Sequence, residues 1–439
     1  MLHKVRLPQI TRERLTDVVV LQIWLLFYAA SKVSLEAEDK QDCASKLNKC
    51  PRFSGRGEDI ANWIWQGKTK KFGLLKKFTE DNTGTQAEKK TWLKRLSCEA
   101  IGLLKQAKGS IEPLGENRES WQATAATFFI GFYEDVLRQA PKPTKNVVGF
   151  PPCLFSDPHA SQFGAQEFLR AFHDKNKSKL TICPACDEAS YSIYAGTVYT
   201  NTGEVKIEAD IDHYLPKESY PHLACHPYNL VPTCLPCNQR KKRNKDPLSK
   251  TPSQRHNVED IFQIYREAGL TESIYLEINL SSIRGVATIS SFKSKTGYDA
   301  RECISVLREI YQIPDGWQGK YETIEENLFK DLKHCFDINN SPFDSPEIID
   351  WLDYHLSNIR EKFGHQAYTI LMAGLLTTYI KEAISTFDQK DRQISKTPLL
   401  EELELECGIQ EQATSTRLLS KPTVCSRIQR ARKWRESQI

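Results

Sequence analysis

Two Cys-x-x-Cys pairs, Cys183–Cys186 in ICPAC and Cys234–Cys237 in TCLPC, constrain this chain more than any other feature. Thiols paired at that spacing offer four ligands to one tetrahedral ion, and four protein ligands leave no position for a reacting water. The expected metal is therefore a structural Zn2+. The competing reading keeps these cysteines buried and free, or lets Cys225 or His226 displace one ligand. The chain has 13 cysteines, an odd number that cannot all pair as disulfides, and the pattern points to metal binding in a reducing compartment such as the cytoplasm. Forty-seven residues lie between Cys186 and Cys234. Closing so long a loop with zinc holds its contents against the residue after the second pair, Asn238, and stabilises a module of about seventy residues too small for a sufficient core.

Inside that loop, VKIEADID (Val205 to Asp212) alternates: Val205, Ile207, Ala209 and Ile211 on one face, Lys206, Glu208, Asp210 and Asp212 on the other. The NTGE turn before it, Asn201 to Glu204, suggests the second arm of a hairpin. Strict alternation sends His213 away from Asp212, so the strand is expected to end or bulge there. Asp210 is open to two readings, a second metal ligand or, the preferred one, a solvated strand carboxylate, and His222 and His226 read as surface or packing residues. After the second knuckle, NQRKKRNK reads as a short helix stopped by Asp246-Pro247, with Asn238, Lys241, Lys242 and Lys245 on one face. Arg240, Lys241, Lys242 and Lys245 are the expected phosphate contacts.

The phrase DHYLPKESYPHLACHPYNLVPTCLPCNQRK, flanked by the two knuckles, resembles the HNH endonucleases with a ββα-metal fold and four-cysteine zinc. The resemblance covers only about residues 180–248. It implies that Asp212 binds a divalent cation, Mg2+ or Mn2+, that His213 is the general base, that Asn229 ties the loop, and that Asn238 adds an amide oxygen to the ion. Its implied partner is DNA, with RNA left open, and its implied context is defence against foreign DNA. The chemistry agrees: a hard cation suits oxygen ligands, and a neutral imidazole can activate water. A zinc-ribbon adaptor that binds nucleic acid or protein without catalysis explains the thiols and lysines equally well, but gives no reason for Asp212, His213 and Asn238 together.

The rest of the chain surrounds this centre. The expected class is α+β: a mainly helical region over 1–150, the zinc-stapled module over 151–255, and a mainly helical region with a short hairpin and a basic tail over 256–439. SIYLEINL and GVATISSF supply the hairpin; Ser426 to Arg435 is the basic tail. Helical flanks could serve a protein partner or a homo-oligomer. VVVLQIWLLFYAA, Val18 to Ala30, is shorter than the ~20 residues that span a bilayer, so it reads as a buried helix rather than a membrane segment. A net charge of +4 is too small to identify a partner by itself.

Overall fold

The computed structural model describes residues 5–66, 70–104, 111–137 except 116, 150–157, 163–187 except 179, and 209–251. Beyond these it describes 198–199, 205–206, 254–256, 274–280, 287–294, 301–313, 347–362, 368–388 and a few isolated residues. The NTGE turn and the basic tail lie outside the described residues. Architecture among the described residues is mostly helical, with small two-stranded β elements embedded in it. The chain divides into two compact units, one of residues 5–178 with 190–266 and one of residues 1–4 with 179–189 and 267–439.

The first unit is organised on helix α1 (Gln9–Ala30). Leu15, Val18, Val19, Leu21, Leu25 and Leu26 are almost fully buried and cover one broad side of the helix, while Gln9, Glu13, Thr16, Val20, Trp24 and Phe27, at helical spacing, form a less buried stripe on the other. Among the described residues no helix is long and apolar enough to cross a membrane. Two polar side chains buried on α1 find partners on neighbouring segments. Asp17 accepts from the Arg52 guanidinium and, at 2.9 Å, from the Ser156 amide, and Gln22 donates to the Phe129 carbonyl at 2.9 Å. On α1 pack α4 (Lys71–Glu80), α5 (Gln86–Leu104) and α6 (Ser120–Val136), while α2 (Asp39–Lys49) packs on α3 (Gly57–Trp65) and α3 on α4; α7 (Ala165–Asn176) follows in sequence. Helix α6 opens on a reciprocal cap in which Gln122 accepts from the Glu119 amide at 3.2 Å. Its buried Phe128, Phe129, Phe132 and Tyr133 form an aromatic ridge.

Short strands follow. Strand β1 (Val198–Tyr199) pairs antiparallel with β2 (Val205–Lys206). Strand β3 (Asp210–His213) pairs with β4 (Leu230–Thr233) in the register Asp210–Thr233, Ile211–Pro232, Asp212–Val231 and His213–Leu230. The two parts of VKIEADID thus have different partners. Strand β3 runs through His213 in a register without a bulge, so the break in alternation expected there does not occur and His213 stays on the face opposite Asp212. A small ladder of β5 (Ser249–Thr251) with β6 (Gln254–Arg255) closes the region.

In the second unit, β7 (Ile274–Leu280) and β8 (Ala287–Ser294) form the expected antiparallel hairpin, with a register shift between Glu277 and Ile278. Helix α8 (Arg301–Glu309) follows, and α9 (Glu347–Glu361) packs on α10 (Thr369–Asp388). Asp187, fully buried at a φ of 57°, accepts from His3 at 2.6 Å and from the Ile370 amide at 3.1 Å in the first turn of α10. A short polar side chain tolerates this left-handed backbone, and its carboxylate suits a helix N-terminus.

The end of α4 carries a specific liability. Its last carbonyls have no helical donors, and the buried Lys89 ammonium supplies them, donating to Phe78 O at 2.7 Å, Thr79 O at 3.2 Å and Asp81 O at 2.7 Å. Lys89→Met strips three buried acceptors of their donor at once. It is expected to lower unfolding stability by about 2–4 kcal/mol, measured by urea titration, whereas the neighbouring exposed Lys90 can be exchanged for Met within about 0.5 kcal/mol.

Candidate metal and nuclease centre

Cys183, Cys186, Cys234 and Cys237 are all buried, and their ligand atoms lie within 4.8 Å of one another. Four convergent thiols shielded from solvent are the donor set of a structural zinc site, and zinc fits here on chemistry alone. It is the one cluster of this kind among the described residues. The chain therefore contains a zinc-binding module of the four-cysteine type, set beside a small β element and flanked by helices. Neither Cys225 nor His226 belongs to the cluster.

The chain then turns from the second knuckle into a helical segment, Pro236–Lys242, wound in the wider π manner. Its closing bond runs from the Arg243 amide to the Asn238 carbonyl at 2.9 Å, a five-residue step. Arg243 sits at a φ of 49° and ends the helix, so Lys245 lies beyond the segment. Winding of this kind alters which residues share a face. Asn238 and Lys242 both turn toward β3, Lys241 is half-buried, and Arg240 and Lys245 are exposed. The single face expected for Asn238, Lys241, Lys242 and Lys245 does not form.

Asp212 and His213 are adjacent on β3 and therefore face opposite sides of the ladder. Both sides are covered. Asp212 is 2% exposed, and its Oδ1 lies 3.1 Å from the Nζ of Lys242, itself 1% exposed. The same ammonium donates to the backbone carbonyl of His213. Asp212 Oδ2 is buried and has no hydrogen-bond partner. Burial pushes the Asp212 carboxyl up to about 6, against the pull of the adjacent Lys242 charge. Two residues earlier, Asp210 accepts from Asn238 Nδ2 at 3.0 Å and Gln239 Nε2 at 2.8 Å. It is thus tied to the helical segment rather than simply solvated. The described contacts join Asn238 to Asp210, and Asp212 to Lys242.

On the opposite side, His213 Nε2 lies 3.0 Å from the Ala224 carbonyl, which fixes Nε2 as the donor and leaves the lone pair on Nδ1. Tyr133 of α6 meets the imidazole edge-on, with ring centroids 4.1 Å apart, and donates its hydroxyl to Ile211 O at 3.2 Å. Burial draws the imidazole down to about 3, so it is neutral at physiological pH. Asn229 organises the connection behind it. Its Oδ1 accepts from the Leu215 amide at 2.7 Å, and its Nδ2 donates to Leu215 O at 3.0 Å and Leu223 O at 3.1 Å. Its own carbonyl receives the Tyr214 amide at 2.8 Å.

His222 and His226 are fully buried. His226 accepts from the Tyr228 amide at 3.2 Å and reaches Ala100 O at the same distance, an arrangement that holds it in one neutral tautomer. His222 lies 3.0 Å from the Glu99 carboxylate. Sequence reasoning treats Lys242 as a phosphate contact and does not anticipate Tyr133 or the Ala224 carbonyl. Its one usable signal is that Lys242 follows Asn238 by four residues, near enough to the helical repeat to share its inward side. No family model, curated protein or solved structure matches the chain.

Two outcomes follow from this geometry. Native mass spectrometry is expected to find a single zinc per chain, and Cys234→Ser to lose both that zinc and the cooperative unfolding of the module. For the histidines, a folded pKa of about 3 against an unfolded value near 6.5 means that the unfolded chain binds more protons between those limits. Stability then falls as pH drops from about 6.5 toward 3, by up to about 3 kcal/mol per buried histidine at pH 4. Asp212, raised to about 6, opposes part of this. Replacing His226 by Gln should reduce proton uptake on acid unfolding by about one, measured from the pH dependence of urea midpoints.

Proposed function

We propose that this module is the catalytic centre of a metal-dependent endonuclease of the HNH type, hydrolysing DNA phosphodiester bonds. The observation that carries the reading is the aim and charge state of His213. A buried neutral imidazole is held at Nε2 by a backbone carbonyl, which reserves Nδ1 for a proton. On the other face of the ladder Asp212 keeps a buried oxygen, Oδ2, without a partner, and such an acceptor fits a divalent cation. Mg2+ or Mn2+ bound there would supply Lewis-acid stabilisation of charge on the departing oxygen. The protein's own tasks are then distinct. His213 takes a proton from the attacking water, Asn229 keeps the imidazole on its loop, and Asn238 offers an amide oxygen while its NH2 is held by Asp210. Exposed Arg240, Arg243 and Lys245, with half-buried Lys241, supply positive charge for phosphates at the rim. Ends bearing 5′-phosphate and 3′-hydroxyl, action in the cytoplasm and a role in defence against foreign DNA belong to the same proposal.

A second reading draws support from two observations as they stand. The four thiols need no reaction to explain them, and the Lys242 ammonium already neutralises Asp212. On that reading the module is a zinc-pinned adaptor that binds nucleic acid or protein, and these features support it more directly than they support hydrolysis. It gives His213 and the unpartnered Asp212 oxygen no task, which is why we place the nuclease first.

Supercoiled plasmid, linear duplex, single-stranded DNA and RNA incubated with the zinc-loaded protein and Mg2+ or Mn2+ distinguish the two. Nicking is expected on DNA, with His213→Ala slower by roughly 100-fold or more. Full activity in that variant removes His213 from the chemistry; binding without cleavage by the native protein establishes the adaptor.

A further inference from the structure

Lys242 is the most deeply buried cation near the centre, and its position is specific. Its Nζ lies 3.1 Å from Asp212 Oδ1 and donates to the carbonyl of His213, so it grips the side chain of one proposed functional residue and the backbone of the next. It is 1% exposed, whereas Arg240, Arg243 and Lys245 around it are exposed. Lysine is seldom buried so fully without a paired charge. Here the pair is Asp212, a carboxylate that would otherwise be an unmatched charge in the interior. The other oxygen of that carboxylate, Oδ2, still has no partner. A single carboxylate thus faces one fixed positive charge and keeps one vacant acceptor.

We propose that Lys242 is a built-in counter-ion that stands in for the divalent cation at Asp212 and competes electrostatically with it. Resting on the nuclease reading, this makes Lys242 a positioning residue that sets the affinity of the centre for metal. With no metal bound, the ammonium keeps Asp212 ionised and aimed. When a divalent cation meets Oδ2, two positive charges share one carboxylate a few ångströms apart, and in a buried setting their repulsion weakens metal binding substantially. The backbone link to His213 gives the lysine somewhere to stay when its hold on Asp212 loosens. The centre is therefore stable without metal and binds metal weakly until phosphate oxygens add their negative charge. In this scheme substrate and cation bind together.

The test uses the full-length, zinc-loaded protein and Mn2+, with free ion counted by electron paramagnetic resonance in the absence of nucleic acid. Lys242→Gln keeps a donor of similar reach without the charge and is expected to tighten Mn2+ binding by roughly tenfold or more. Lys242→Arg keeps the charge and should bind Mn2+ about as weakly as the native chain. A purely packing role for Lys242 predicts no tightening in either variant. Unchanged or weaker Mn2+ binding by Lys242→Gln overturns the proposal. Should that variant not fold, Lys242→Met measured the same way takes its place. Asp212→Asn separates the two layers of argument: if it abolishes Mn2+ binding while the native protein cleaves nothing, the nuclease reading fails and the competition at Asp212 stands. If Mn2+ binding is indifferent to Asp212, the competition itself is gone, whatever the cleavage assay reports.

Discussion

Covering both sides of the β3–β4 ladder is the constraint on which the centre depends. A four-residue strand puts Asp212 and His213 on opposite faces, and a ladder with one wet face would leave one of them in water. Here the helical segment Pro236–Lys242 covers the carboxylate side, and α6 with the Ala224 turn covers the imidazole side. Each titratable group must then be matched locally. The carboxylate is matched by an ammonium and the imidazole by a carbonyl. Both residues hold protonation preferences that a surface strand would not give them.

Local pattern made much of this legible in the sequence. The alternation around Asp212, the two knuckles and the β7–β8 hairpin are signals of short range, and the structure assembles the thiols and both hairpin strands. The run Val18 to Ala30 reads as a buried helix because it is too short to span a bilayer, and most of that run is buried in α1. Contacts distant in sequence were beyond reach. Nothing in FFIGFYEDV marks Tyr133 as the ring beneath His213, since any buried aromatic on an amphipathic helix has the same local signature. The basic run is misleading for a related reason. Charge density argues for solvent and phosphate, yet one of its lysines is the counter-ion of a carboxylate on a strand far earlier in the chain, a pairing that only the fold defines.

Placing the zinc-type site beside this ladder separates two tasks that one metal could not perform. A tetrahedral ion with four thiolates is saturated and serves as architecture. Whatever chemistry the module performs must come from oxygen and nitrogen ligands of β3 and the segment after Cys237. On the proposed nuclease reading, structural and reactive roles fall to soft and hard donors respectively, and each can vary without disturbing the other's coordination preference.

The π winding of Pro236–Lys242 has a consequence for how this region can change. Because its bonds span five residues rather than four, the segment accommodates one residue more than an ordinary turn between the last thiol and the inward lysine. Among the residues of the segment, an outward one such as Arg240 can drift in identity with little effect on the interior. A single deletion among them would rotate Lys242 out and bring a neighbour in. Spelling is free only at the outward positions; the length of the stretch is fixed throughout.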